Sequence, residues 1–201
     1  TENIKWKTPI PGEGHSSPVI SCDQIWLTTA IAEQLSEEEE KERLSQLDDP
    51  KGMKLAGALS LQALLVNLRT GELEKQITLF EVAEPAPKHS LNSYASPTPV
   101  LAGDMAYFHF GTYGTACLNR TTGKTIWTND AIHIEHQTGP GSSPVVWNDL
   151  LIVHFDGMDS QFVTAFDRHT GKVRWQTKRS GEMNAKPALQ KAFGTPLVME
   201  R

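Results

Sequence analysis

Ala165-Phe166-Asp167-Arg168-His169-Thr170-Gly171, with Trp175 four residues after the glycine, decides the fold because it recurs. Cys117-Leu118-Asn119-Arg120-Thr121-Thr122-Gly123 repeats it, with Trp127 at the same distance. Leu65-Val66-Asn67-Leu68-Arg69-Thr70-Gly71 repeats it again, with Lys75 in place of the tryptophan. Each copy has Asn or Asp four residues before the glycine and Thr directly before it. A short polar side chain there can satisfy the free amides of a tight turn. Glycine supplies the positive φ that such a turn needs.

A second marker lies upstream of each copy. Ser-Ser-Pro-Val stands at Ser16 to Val19 and at Ser142 to Val145, with looser versions at Ser96 to Val100 and Thr195 to Val198. Pro99 to Pro144 and Pro144 to Pro196 are 45 and 52 residues, and Gly123 to Gly171 is 48. A period of that size fits a four-stranded propeller blade. Within one period the residues read as four strands: 145 to 147, an Asn148-Asp149 turn, 150 to 155, a loop at 156 to 160, 161 to 167, the Thr-Gly turn, then 172 to 177. Proline at the head of the first strand removes no needed donor. The fold class is therefore all-β. It is a partial β-propeller of about three to four antiparallel four-stranded blades, at about 14–80, 94–130 and 141–178, with the start of another at 179–201. A three-blade arc leaves two open edges, so further blades of the same protein, or another copy, are expected to close it.

The pattern Ala165, Asp167, Thr170, Gly171, Trp175 resembles the tryptophan-docking motif of propellers related to pyrroloquinoline quinone (PQQ) dehydrogenases. Cys117, Asn119, Thr122, Gly123 and Trp127 match it with a cysteine and an Asn exchanged. Trp6-Lys7-Thr8-Pro9 looks like the close of a preceding repeat. The same repeat builds the non-enzymatic outer-membrane assembly lipoprotein, and the chain is similar to the quinoprotein-like propellers of planctomycetes. The resemblance implies export to the periplasm or beyond, although no signal peptide stands at the start of this chain. It leaves two functions open: a non-catalytic binding or scaffolding propeller of the cell envelope, or a PQQ-dependent alcohol or sugar dehydrogenase completed by further blades. PQQ and calcium belong only to the second. Against it, the chain shows no adjacent-cysteine pair, no assignable calcium ligands and no catalytic base, and Asp156 to Ser160 follows no calcium-loop spacing.

Residues 32–57 interrupt the first blade between its second and third strands. Ser36 with Glu39 forms a capping box that opens a short helix through Leu47, with four glutamates at its positive end. Asp48-Asp49-Pro50 is expected to stop it. A solvated surface helix is the plain reading, and a partner-docking or lid element the sharper one.

A formal net charge of -5 gives no electrostatic reason to expect nucleic acid. No apolar run is long enough to span a bilayer as a helix. No phosphate loop, nucleophile elbow or kinase signature occurs. Two cysteines are too few for a disulfide framework. Cys22 falls in a turn and is expected exposed, Cys117 in a core position and buried. Trp6, Trp127 and Trp175 share one repeat position and are expected to pack between blades.

Register suggests where chemistry could gather. Thr28, His109 and His154 each lie ten residues after a marker proline. That is the end of the second strand, on the same face as the segment before each first strand. His15, Tyr94 and Glu135-His136-Gln137 occupy such segments. His15, Tyr94, His109, His154 and Asp156 are thus the candidate ligand-binding set, for a protein or a small molecule, since imidazoles bind metals and move protons. The plainer reading is that His109 and His154 complete hydrogen bonds between blades. Tyr94 and Tyr113 are expected as exposed aromatics, which would suit a carbohydrate-binding or carbohydrate-degrading role.

Overall fold

Each Thr-Gly turn closes in the way its residues dictate. Asp167 Oδ1 accepts from the His169 and Thr170 amides at 3.1 and 3.0 Å, and the chain turns at Gly171 with φ 69°. Asn119 does the same for Thr121 and Thr122, and Asn67 for Arg69 and Thr70. The turn joins a third strand to a fourth, and the pattern recurs three times.

A computed structural model describes residues 2–199 of the chain. The first sheet comprises β1 (Val19–Ser21) and β2 (Gln24–Ala32), then, after helix α1 (Glu37–Leu44) and the short β3 (Met53–Lys54), β4 (Leu59–Asn67) and β5 (Leu73–Val82). The short β6 (Lys88–His89) precedes the second sheet, β7 (Val100–Ala102), β8 (Met105–His109), β9 (Thr115–Asn119) and β10 (Thr125–Asn129). The third is β11 (Val145–Trp147), β12 (Leu150–Asp156), β13 (Gln161–Asp167) and β14 (Val173–Lys178). Each is a four-stranded antiparallel meander in chain order, which is the blade pattern the repeat implied.

Alternation along the strands buries both faces of the middle blade. On β8, Ala106 and Phe108 join the core shared with Trp26, Leu61 and Leu65 of the first sheet. Tyr107 points the other way, into the core with Trp127, Leu151, Phe155 and Phe166. A row of hydroxyls also ties the blades together along their inner strands. The Ser17 amide donates to Thr98 Oγ1 (3.0 Å), the Thr98 amide to Ser143 Oγ (2.9 Å) and the Ser143 amide to Thr195 Oγ1 (3.3 Å). Each of these residues directly precedes a marker proline.

The turn glycines have a second purpose. Trp6 donates from Nε1 to Leu68 O (3.0 Å), and its indole lies where a Cβ on Gly71 would be. Trp127 donates to Arg168 O (2.9 Å) and covers Gly171 of the next blade. Over Gly123 the same place is taken by Lys75 and Ile77. Trp175 has no such turn beside it and is 40% exposed, and β14 is exposed along its whole length.

Three details depart from the sequence reading. The helix has its capping box but stops at Leu44, not at Asp48-Asp49-Pro50. It buries no residue, so nothing holds its end, and Ser45 turns to Glu42 O while the tail tightens into three-residue turns through Leu47. The insertion also contributes a strand: β3 pairs with β6 in the connection between the first two blades. After β14 the described residues form one 3-10 turn, Pro187–Leu189, and no strand.

Candidate functional site

In a four-stranded meander the loop from second to third strand and the link to the next blade emerge on the same face. Here that face carries a groove of about 1010 Å3. Its walls are the tail of the insertion at 46–48, the exit of β5 at 82–87, the β8–β9 loop, the segment 130–137 and Met158 of the β12–β13 loop. The segment 130–137 has no regular structure but is pinned at Ile134 and Glu135. The Ile134 amide donates to Thr112 Oγ1 (3.1 Å), the Glu135 amide to Asp159 Oδ1 (2.8 Å), and Glu135 O accepts from the Met158 amide (3.1 Å).

Leu47, Val82, Ile134 and Met158 make the apolar part of the lining, and Asp48, Glu84, Asp130 and Glu135 bring four carboxylates to it. No lysine or arginine lines it. His136 lines the groove although it is only 8% exposed, and its Nδ1 has no partner. Burial holds its pKa down to about 4, with Asp159 opposing and Lys191 assisting more weakly, so the imidazole is neutral at pH 7. Tyr113 hydroxyl accepts from the Ala86 amide at 3.0 Å, and burial pushes its pKa up to about 12.

The structure distributes the five sequence candidates along blade seams. His15 is exposed, and its amide donates to Ser93 Oγ (3.1 Å) and Ala95 O (3.2 Å) at the first seam. Tyr94, 2% exposed, donates to Ala86 O at 3.0 Å beside a smaller cavity of about 200 Å3. His109 is buried at the second seam, with Nδ1 2.9 Å from Thr115 Oγ1 and its ring edge-on to Phe155. Burial, with a smaller push from His136, takes its pKa down to about 3. His154 sits 3.2 Å from Gly194 O and 4.0 Å from Asp156. None of the five lines the large groove. At the shared repeat position Thr28 and His154 reach a carbonyl just before the next inner strand, Ala95 O (3.1 Å) and Gly194 O (3.2 Å), whereas His109 bonds within its own blade and meets the next by packing on Phe155. Tyr94 and Tyr113 are buried and half-buried, so neither is the exposed aromatic that a carbohydrate would need. Cys22 is exposed and Cys117 buried, as their positions implied, and both are free.

The groove's acidic lining had one sequence signal, the Glu135-His136-Gln137 stretch before an inner strand. Asp48 and Glu84 gave none, because they are 36 residues apart and meet only after folding.

A PQQ cofactor with its metal needs converging oxygen donors. Among the described residues no three His, Cys, Asp or Glu side chains are grouped to hold a metal. Asp156 is fully buried, but its Oδ2 accepts from Arg179 at 2.7 Å, so a guanidinium already occupies the place of a cation. The donor set of this chain does not fit that pair.

Comparison with known proteins agrees with the blade geometry. The solved structure of a europium-containing methanol dehydrogenase matches at TM-score 0.53 and 15% identity, over 86% of this chain and 27% of that one. BamB from Moraxella catarrhalis matches at TM-score 0.49 and 18% identity, over 77% of this chain and 43% of its own. The chain thus spans less than half the length of either. No curated protein sequence matches it significantly. The family model described as outer membrane protein assembly factor BamB matches residues 65–201. With three Thr-Gly blades in register and that match over most of its length, the chain belongs to the BamB-like family of propellers.

Proposed function

We propose that this chain is a non-catalytic binding propeller of the cell envelope, which engages a protein partner on the face that carries the loop groove. The observation that supports it most is the groove itself. It is open, about 1010 Å3, and built from the insertion and from the connections of three successive blades. Small-molecule sites enclose most of their ligand's surface, whereas this groove is open to solvent, so the shape suits a chain segment. A family of assembly factors is consistent with such a use and with an envelope location. Among the described residues no helix is long and apolar enough to cross a membrane. Trp175 and the bare face of β14 fit a further blade beside the third sheet.

The test is site-specific photo-cross-linking in the native cell, with the reactive group at Gln46 or His133 on the groove and, as control, at Lys172 on the opposite turns. Protein adducts from the groove positions alone are the expected result. No groove adduct, together with dye-linked alcohol oxidation on addition of PQQ and calcium, would replace this reading with the oxidoreductase one.

A further inference from the structure

We infer that the groove takes an extended segment of a partner protein in which lysine or arginine alternates with apolar side chains. This rests on the reading of the loop face as the partner-binding face and adds the partner's chemistry. Three features of the groove converge on it.

The first is the separation of the lining into two kinds of surface. Leu47, Val82, Ile134 and Met158 offer apolar contact, while Asp48, Glu84, Asp130 and Glu135 are exposed and unaccompanied by any lysine or arginine of the lining. An extended chain sends successive side chains to opposite sides, so alternation lets one row pack on the apolar part while the other turns outward. Lysine and arginine then bend their long stems back to a carboxylate rim. The charge around the groove favours this sign of partner. The insertion that forms one wall also carries exposed Glu37, Glu38 and Glu42, and the chain as a whole is at -5.

The second is His136. A side chain that is 8% exposed with an unpartnered ring nitrogen is a local deficit of hydrogen bonding. That nitrogen is itself enclosed, so what the ring presents to the groove is a neutral surface that does not oppose a cationic segment. The third is rigidity. Ile134 and Glu135 are held by three backbone hydrogen bonds to the loops on either side, so the stretch of main chain that carries Glu135 is in place before any partner arrives.

The experiment uses the full chain and three fluorescein-labelled decapeptides read by fluorescence anisotropy. One alternates lysine with leucine and valine, one alternates glutamate with the same residues, and one alternates lysine with serine. The lysine-leucine-valine peptide should bind at least about tenfold more tightly than either of the others, and more weakly as salt rises. The rim variant Glu84→Gln/Asp130→Asn/Glu135→Gln should lose about tenfold or more, whereas Glu37→Gln/Glu38→Gln/Glu42→Gln, which removes the same charge from the helix, should change it less than about twofold. Equal losses in the two variants would mean a diffuse field rather than a site and would overturn the inference. So would equal binding of the glutamate peptide. A concentration-dependent dimer that the rim variant abolishes would also overturn it, in favour of a second copy of the chain. Groove cross-links without any peptide preference would overturn the partner chemistry alone and leave the loop-face reading standing.

Discussion

Adding one methyl group at Gly171 should incur two costs at once. Its φ of 69° disfavours any side chain, and the new Cβ would fall 2.5 Å from the Trp127 ring. Gly103 shares the first problem, with φ 59°, but has nothing within 4 Å. Gly103→Ala should therefore cost about 1–2 kcal/mol, and Gly171→Ala about 3 kcal/mol or more once overpacking is added. Urea denaturation of the two variants reads the difference. Buried histidines set a second expectation at this scale. His109 and His136 have folded pKa values of about 3 and 4, below the ordinary 6.5. Folding therefore favours their neutral forms. Their contribution is complete above pH 6.5 and is lost as pH falls from there toward 4, because only the unfolded chain takes up the protons. Up to about 2 kcal/mol each is lost by pH 5. The melting temperature should drop between pH 7 and 5, and His109→Gln, read against the parent at each pH, should shrink that drop.

At the scale of elements, what was legible was whatever is encoded within a few residues. The strands 145–147 and 161–167 were read with the ends they have, because the Asn148-Asp149 and Thr-Gly turns fix them locally. The pairing of β3 with β6 was not, since Met53 and His89 are joined by tertiary structure and neither stretch is long enough to show a period. Counting residues from the marker proline located the end of the second strand but not the purpose of the side chain there. His109 lies two residues from Tyr107 and so faces the third blade with it, as a seam residue, while the groove formed from loops without a repeat. The helix gives a test of how local an element can be. Ser36→Ala removes the capping box, worth about 1 kcal/mol to the helix. Because α1 buries no residue, global unfolding should not register it. Amide hydrogen exchange over 37–44 should speed up several-fold while the melting temperature moves by less than about 1 °C.

At the scale of the molecule the blades form a one-dimensional array in which each sheet touches only its neighbours. The cores lie between sheets, so stability is set by the number of filled seams. Trp127 and Trp175 occupy the same repeat position, but only Trp127 has a following turn to cover and a carbonyl, Arg168 O, to receive its N–H. Trp127→Ala should accordingly cost about 3–5 kcal/mol in this chain. Trp175, already 40% exposed, should cost no more than about 1 kcal/mol. The contrast is a property of the arc rather than of the residues. Placed before a further blade whose Thr-Gly turn meets β14, Trp175 gains both partners, and its truncation should become as costly as that of Trp127. Denaturant unfolding of both variants, in the 201-residue chain and in one carrying a further repeat, measures this directly. If Trp175→Ala stays inexpensive beside an added blade, the exposed face of β14 is not a blade seam.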